Sequence, residues 1–296
     1  MFCDLHMHST ASDGTDPPGA LGALASAAGL SAIALTDHDT TAGVAAAEKG
    51  CRAAGVAFAA GIEISADPAF AKPPKSDPAQ ETSGTLHILG LFVRPDDEQL
   101  AAISRQMEQA RNQRNPMVID RLNAIGVRID YSEVEALAAE EGTAIIGRPH
   151  IAQVLLMKGY VKSIQDAFTR YIGIKGAAYV RRDRLHPHDA INAIHHAGGL
   201  AVMAHPVQLR YADEDELTYI VRRMIDFGLD AIEARHSDHT PAQVQQFEKL
   251  AAREKIMTSG GSDYHGTRKT VAMGGQNVPF DVYERLRGAA EAALSV

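Results

Sequence analysis

The sequence predicts an α/β fold of parallel strands interrupted by one helical insert, and three observations carry that prediction. Strand-like apolar runs alternate with helical ones up to about residue 92 and again from about residue 190. Between them, residues 97–182 read as helices without a convincing strand. Polar, metal-competent side chains fall where the expected strands end, which is where ligands gather in folds of this class.

The chain opens MFCDLHMHSTASDGT. Alternate side chains of a strand share a face, so Asp4, His6 and His8 point one way. Phe2, Leu5 and Met7 are apolar and can bury the other surface, as strands of parallel sheets do. A polar turn, SDGTDPP, leads to an Ala-rich helix from about Pro18 to Gly29. SAIALTDHD is a buried strand ending in polar residues, Thr41 to Gly55 is helical, and VAFAAGIEIS is the next strand. This rhythm predicts parallel strands joined by right-handed crossovers. DPAFAKPPKSDPAQETSG, from Asp67 to Gly84, is rich in proline and polar residues and reads as a long loop before TLHILGLFV resumes as a strand. The insert comprises ISRQMEQARNQRNPMVIDRLNAIG, YSEVEALAAEEG, HIAQVLLMKGY and IQDAFTRYIG, all helical. The α/β rhythm returns with HDAINAIHHAGGLAVMAHP, YIVRRMIDFGLDAIEARHS and PAQVQQFEKLAAREKIMTSGGSDYHG. Residues 1–96 and 183–296 are therefore expected to form one α/β unit, with 97–182 as the inserted small helical domain.

A length of 296 residues suits one large α/β domain with such an insert. The composition, 45% hydrophobic and 22% charged, is that of a soluble globular protein. No run approaches the roughly 18 apolar residues of a membrane span, and the start lacks the basic and apolar regions of a secretory signal. A cytoplasmic location and no membrane partner are the expectation. With 29 basic against 37 acidic residues, the net charge of −8 argues against broad binding to long nucleic acid. It leaves room for a short anionic ligand in a local positive pocket. Cys3 and Cys51 are too few for a disulfide framework and read as small buried residues. The unusual count is histidine, at 13.

Collected from the strand ends, the polar residues are His6, His8, Asp13, Asp37, His38, Asp39, Glu63, His87, His205, His236, Asp263 and His265. One HxH pair is no more than a satisfied core or surface pair. Repetition at successive strand ends is hard to assign to packing, because buried polar groups need partners. Metal ions are a shared partner for imidazoles and carboxylates.

DLHMHS, TDHD, GIE, HILG, AHP and GGSDYHG resemble, in the same order, the motif set of the polymerase-and-histidinol-phosphatase (PHP) family. The resemblance covers residues 1–92 and about 190–266. It implies a distorted seven-stranded (β/α) barrel, a trinuclear metal centre and phosphoester hydrolysis. Carried over by motif, one ion takes His6, His8, Glu63 and Asp263. A second shares Glu63 and adds His87 and His205, and a third takes Asp13, His38 and His265. Nitrogen and oxygen ligands without sulfur suit manganese, iron or zinc, and manganese is the expected ion.

IIGRPHIAQVLL and AFTRYIGIKGAAYV look like the helical insertion of PHP proteins that act on nucleotides, namely 3′,5′-nucleoside bisphosphate phosphatases and relatives that trim short RNA from the 5′ end. GLDAIEARHS also matches their pattern. The 67–84 loop departs from it in being longer, which bears on substrate size. The expected chemistry is attack on phosphorus by a metal-bridging hydroxide, with no covalent enzyme intermediate. His236, at the end of IEAR, is expected to bind the attacked phosphate or protonate the leaving oxygen, and Asp263 to serve catalysis as a bridge. Arg148 and His150 sit where a helix N-terminus favours phosphate. Lys175 and Arg182 are candidates for the same pocket, with Tyr179 available to stack on a base. Asp4 and Asp39 are candidates to orient ligand imidazoles, Asp39 alternatively to cap the following helix. His186, His188, His195, His196 and His239 read as surface or structural.

The favoured substrate is a small nucleotide, a 3′,5′-bisphosphate first and short RNA as the alternative, with no protein partner evident. An amidohydrolase-type C–N hydrolase also begins HxH, but no lysine here suits a bridging ligand. A non-catalytic PHP module is expected to have lost ligands, whereas all nine are present.

Overall fold

Eight strands build one sheet: β1 (Phe2–Asp4), β2 (Leu30–Leu35), β3 (Ala57–Ala66), β4 (Leu86–Leu91), β5 (Leu200–Met203), β6 (Ala231–Arg235), β7 (Met257–Gly260) and β8 (Val278–Pro279). The computed structural model describes residues 1–73, 84–143 and 145–294. The spatial order is β7-β6-β5-β4-β3-β2-β1-β8. Beyond Asp4 the chain stays extended and meets the far edge of the sheet. The Leu5 amide donates to the Gly260 carbonyl (3.1 Å), Asp263 to His6 (2.8 Å) and His8 to Tyr264 (2.8 Å). These bonds bring the sheet to a nearly closed barrel.

Closure depends on Gly261, where a Cβ would stand 2.4 Å from both the Cβ and the amide nitrogen of His6. No larger residue fits that approach. Asp4 fastens the same seam: its carboxylate accepts from Ser262 N (2.8 Å), Ser262 Oγ (2.5 Å) and Gly274 N (2.7 Å). It therefore holds backbone and touches no ligand imidazole, contrary to the expectation from sequence.

Pairs β1–β2, β2–β3, β5–β6 and β6–β7 are parallel, but β4 runs antiparallel to both β3 and β5. The expectation of parallel strands throughout is corrected there. A parallel pair needs a crossover, usually a helix, whereas antiparallel neighbours need only a loop. The Pro-rich connection from β3 offers no helix beyond the short 3₁₀ turn Pro68–Phe70, capped by Asp67, among the described residues. Residues 74–83 of the expected long loop lie outside them. Strand β8, two residues antiparallel to β1, adds an eighth to the expected seven.

Ten α-helices accompany the sheet among the described residues: α1 (Leu21–Ala27), α2 (Val44–Ala54), α3 (Glu98–Ala124), α4 (Tyr131–Glu140), α5 (Arg148–Met157), α6 (Ile164–Ala167), α7 (Pro187–His196), α8 (Glu214–Asp226), α9 (Pro241–Glu254) and α10 (Phe280–Ala293). Asp97 starts α3 by accepting from Gln99 N and Leu100 N, the N-cap arrangement that satisfies orphan amides. At 27 residues, α3 is about 40 Å long. Its first turns (Leu100, Ile103, Met107) pack into the barrel's apolar cluster with Ile191 and Ile194. Its last turns (Val118, Ile119, Leu122) belong to a separate cluster built from residues 118–180. The change from one core to the other thus falls inside α3, between Met107 and Val118. Among the described residues no strand lies between 97 and 182, and no helix is long and apolar enough to cross a membrane. Cys3 and Cys51 are free and buried.

Candidate metal centre

Strand ends bring a dense group of imidazoles and carboxylates to one rim. His6 and His8 follow β1, His38 follows β2, Glu63 lies within β3, His205 follows β5 and His236 follows β6. Asp263 and His265 follow β7. His87 comes from the start of β4, not an end, and reaches this rim because β4 runs backwards (Ser65 pairs with His87).

Glu63 is the hub. Its Oε1 lies 2.8 Å from His87 Nδ1, 2.9 Å from His205 Nε2 and 3.5 Å from His6 Nε2. Its Oε2 lies 2.7 Å from His38 Nδ1 and 3.3 Å from His8 Nε2. Asp263 Oδ1 sits between His8 Nε2 (3.2 Å) and His6 Nε2 (3.5 Å), and its Oδ2 faces His236 Nε2 (3.4 Å). Asp13 lies beside His265 (3.3 Å), with His8 and His38 each at 3.8 Å. All nine residues expected as ligands from sequence therefore stand in one cluster.

The side chains suit metal ions. His6 Nε2, His8 Nδ1 and Nε2, His38 Nδ1, His205 Nδ1 and Glu63 Oε2 are buried without a hydrogen-bond partner, an arrangement that is costly unless something else binds those atoms. Burial, with His265 and His38 close by, pushes His8 down to about 3. Burial likewise takes His87 to about 4 despite Glu63. Neutral imidazole is the ligating form. Burial opposes charge on His38 too, but Glu63 and Asp13 raise it to about 9. Four overlapping groups can each hold an ion: His8–Asp13–His38–His265, His6–His236–Asp263, His6–Glu63–His205 and His38–Glu63–His87. His8 thus stands with Asp13 as well as with Glu63 and Asp263, so the division read from motifs is not unique.

Sequence reasoning missed what orients these ligands. Glu233, buried in β6, accepts from His6 Nδ1 (3.0 Å) and from the His205 amide (2.7 Å). This leaves His6 Nε2 with its lone pair toward the cluster. Its signal was visible: a carboxylate between the apolar residues Ile232 and Ala234 of a strand. Such partners typically contribute about 10- to 100-fold to metal affinity or activity. Glu233→Gln is accordingly expected to weaken manganese binding about 10-fold or more, checked by calorimetric titration; unchanged binding would contradict the assignment. Asp37 holds the loop after His8, accepting from Ser9 N (2.8 Å), Ser9 Oγ (2.7 Å) and Ser12 Oγ (2.6 Å). Asp39, His205 and Asp263 have left-handed φ of 55°, 26° and 58°. Non-glycine residues held there cost on the order of 1–3 kcal/mol each, a strain that concentrates at functional sites.

His236 differs from the other imidazoles. Its Nδ1 accepts from the Asp238 amide (3.0 Å), so the neutral ring carries its proton on Nε2. That Nε2 is buried with no acceptor in hydrogen-bond geometry. His239 lies behind it, Nδ1 donating to the Ala234 carbonyl (2.9 Å). Of the remaining histidines, His186 caps α7, His195 pairs with Asp230 and His196 with Asp97.

A group of arginines adjoins the cluster. Buried Asp39 accepts from Arg111 and, at 3.4 Å, from Arg182, besides Ser65 N (2.8 Å). It therefore neither orients an imidazole nor caps α2, which starts after Gly43. Burial, with Arg148, Arg182 and Arg111 nearby, pushes Arg114 down to about 8. Burial takes Arg148 and Arg182 each to about 10. Among the described residues no carboxylate lies within ion-pair distance of Arg114, whose Nε donates to Asn115 (2.9 Å). Arg148, the first residue of α5, lies over the Phe168 ring (5.5 Å) and donates to the Ile172 carbonyl (3.2 Å). Arg111 also lines a cavity of about 300 Å³ with Tyr131, Asn112, Glu135 and Ile146.

Of the other expected substrate residues, His150 is fully buried. Its Nδ1 accepts from Gly147 N (3.0 Å) and its Nε2 lies 3.5 Å from Glu141, so it closes the start of α5. Lys175 is exposed, and no bond joins it to the arginines among the described residues. Tyr179 is half-buried beside Arg114 and Arg148.

Residues 4–180 match the family model described as PHP domain. Three curated relatives align over most of their length. The phosphoribosyl 1,2-cyclic phosphate 1,2-diphosphodiesterase of Eggerthella lenta is 32% identical over 94% of this chain and 100% of its own. The 5′-3′ exoribonuclease of Haemophilus influenzae is 32% identical over 88% and 89%. The 3′,5′-nucleoside bisphosphate phosphatase of Chromobacterium violaceum is 31% identical over 88% and 86%. Among solved structures, a protein of Bifidobacterium adolescentis assigned as a metal-dependent phosphoesterase superposes with a TM-score of 0.82 at 30% identity, over 96% of this chain and 94% of its own. Fold, cluster and relatives define a metal-dependent phosphoesterase. The chain belongs to the PHP domain family.

Proposed function

We propose that the enzyme removes one phosphate from a small nucleotide carrying two, with a nucleoside 3′,5′-bisphosphate as substrate and the nucleoside 5′-monophosphate and phosphate as products. The observation that carries this reading is the adjacency of two anion sites. One is the imidazole–carboxylate cluster; the other is the group Arg111, Arg114, Arg148 and Arg182, with Asp39 between them. Four guanidinium groups near one carboxylate leave positive charge for a second phosphate to neutralise, which arginine does well.

His6, His8, Asp13, His38, Glu63, His87, His205, Asp263 and His265 would hold three divalent ions, manganese by preference, although the donor set also accepts iron or zinc. Such ions neutralise phosphoryl oxygens and lower the pKa of water to about 7. Around them, Glu233 fixes the His6 ring and the Asp263 carbonyl fixes His265 (2.8 Å). Water adds to phosphorus in line, the P–O3′ bond breaks, and the proton lost by the attacking water passes to the leaving oxygen, to which His236 Nε2–H donates a hydrogen bond. That nitrogen carries the ring proton while Asp238 N–H occupies Nδ1. Arg148 and Arg114 hold the 5′-phosphate, and the half-buried Tyr179 lies alongside for the nucleoside.

A second reading, stepwise 5′→3′ trimming of short RNA, is favoured by the exoribonuclease relatives. A panel separates the two. Manganese-loaded enzyme is assayed for phosphate release from adenosine 3′,5′-bisphosphate, AMP and a ribose 1,2-cyclic phosphate, and for nucleotide release from a 5′-phosphorylated RNA trimer. Turnover of the bisphosphate at least about 10-fold above the others supports the first reading. Mononucleotides released from the trimer at a higher kcat/KM would replace it with the second.

A further inference from the structure

The Asp263 carboxylate has two unlike sides. Its Oδ1 faces His6, His8 and His265, inside the cluster. Its Oδ2 faces His236 and, at 2.5 Å, the Nζ of Lys269. Asp263 is buried, whereas the Lys269 side chain is 40% exposed. The Asp13 and Glu63 carboxylates also act on this ammonium. Lys269 therefore sits on the Asp263 carboxylate at the edge of the cluster and supplies a positive charge beside the place proposed for divalent ions.

We propose that Lys269 is a swinging cation that couples filling of the metal centre to binding of the substrate's phosphoryl group. It neutralises Asp263 while that carboxylate holds no ion, and it turns onto the phosphoryl oxygens once an ion is bound. The inference rests on the metal-dependent reading above. An ammonium and a divalent ion on one carboxylate repel each other at short range, so filling either place weakens the hold on the other. Retreat of the whole segment is blocked. The turn Gly266–Arg268 is pinned by Thr267 N donating to Thr15 Oγ1 (2.9 Å), by Thr15 N donating to the His265 carbonyl (3.3 Å), and by the Arg268 guanidinium on Glu141. Only the flexible stem of Lys269 moves, and lysine is a point charge on such a stem. On the open side of Asp263 Oδ2 the neighbouring polar group is His236 Nε2, the hydrogen-bond donor proposed for the leaving oxygen. An ammonium released there lies beside the reacting phosphate, which is the anion available to it.

The test is calorimetric titration of manganese and inorganic phosphate into wild type, Lys269→Gln and Lys269→Arg. Removing the competing ammonium is expected to tighten manganese binding by Lys269→Gln about 5-fold in the absence of phosphate. Phosphate binding to the manganese-loaded variant is expected to weaken about 10-fold, the loss of one charge-assisted hydrogen bond. Lys269→Arg is expected to recover most of the phosphate affinity, which guards against a merely misfolded variant. Equal manganese affinity in wild type and Lys269→Gln, or undiminished phosphate affinity, overturns the proposal. Failure of wild type itself to bind manganese overturns the metal reading, a separate and recognisable outcome.

Discussion

Glu63→Gln is expected to lower turnover by about 1000-fold or more and to strip metal from the enzyme. One carboxylate serves five imidazoles: His6, His87 and His205 on Oε1, His8 and His38 on Oε2. The amide keeps the volume but loses the charge and turns an N–H₂ toward rings that offer lone pairs. Removing a single preorganised electrostatic group from an active site typically costs about 100- to 1000-fold, and here the group also organises the others. Ile62 and Ile64 on either side are fully buried and keep β3 packed, so circular dichroism should match wild type. Metal content by mass spectrometry and kcat are the readouts. A variant that retains metal and turns over normally would remove Glu63 from the mechanism.

Arg114→Met is expected to separate stability from function. Arg114 is 6% exposed, with no carboxylate partner among the described residues and Arg148, Arg182 and Arg111 nearby. Replacing a buried, uncompensated charge with an apolar side chain of similar length often stabilises a fold, and sites shaped for ligands commonly carry such a cost. The urea midpoint should hold or rise. KM for the nucleoside bisphosphate should rise about 10- to 100-fold, corresponding to about 1.5–3 kcal/mol for a hydrogen bond to a charged group. kcat/KM for a one-phosphate ester such as p-nitrophenyl phosphate should change little. An equal loss on both substrates would reassign Arg114 to the reacting phosphate, and a fall in the urea midpoint would make it structural.

The metal-competent residues on strands were legible because a period-two pattern tells which side chains share a face, whereas Asp13 in a turn and the left-handed His205 and Asp263 were marked by their place after strands and by their motifs. His6 and His8 are the clearest case, and Glu63 at the polar end of an apolar strand is another. The arginine pocket was only half legible. Arg148 and Arg182 stand out in the sequence, but Arg111 and Arg114 lie three apart on α3 among glutamines and asparagines, a pattern indistinguishable from a solvated helix face. They are buried because α3 runs from the barrel core to the core of the insert.

By itself the sequence determined the chemistry available to this protein: imidazoles and carboxylates in the order of a PHP barrel, without sulfur ligands, beside a helical insert. Only the tertiary structure decided how those groups are used. The reversal of β4 brings His87 to the rim from a strand start. The glycine-tight seam at Gly261 sets the Asp263 segment against His6. The burial of Glu233, Asp39 and Arg114 assigns them to orienting a ring, balancing a charge and awaiting an anion. The reason is physical. A ligand atom's type is a local property of the residue, whereas its partner, its burial and its charge state depend on segments far away in the chain, 258 residues in the case of Asp4 and Ser262.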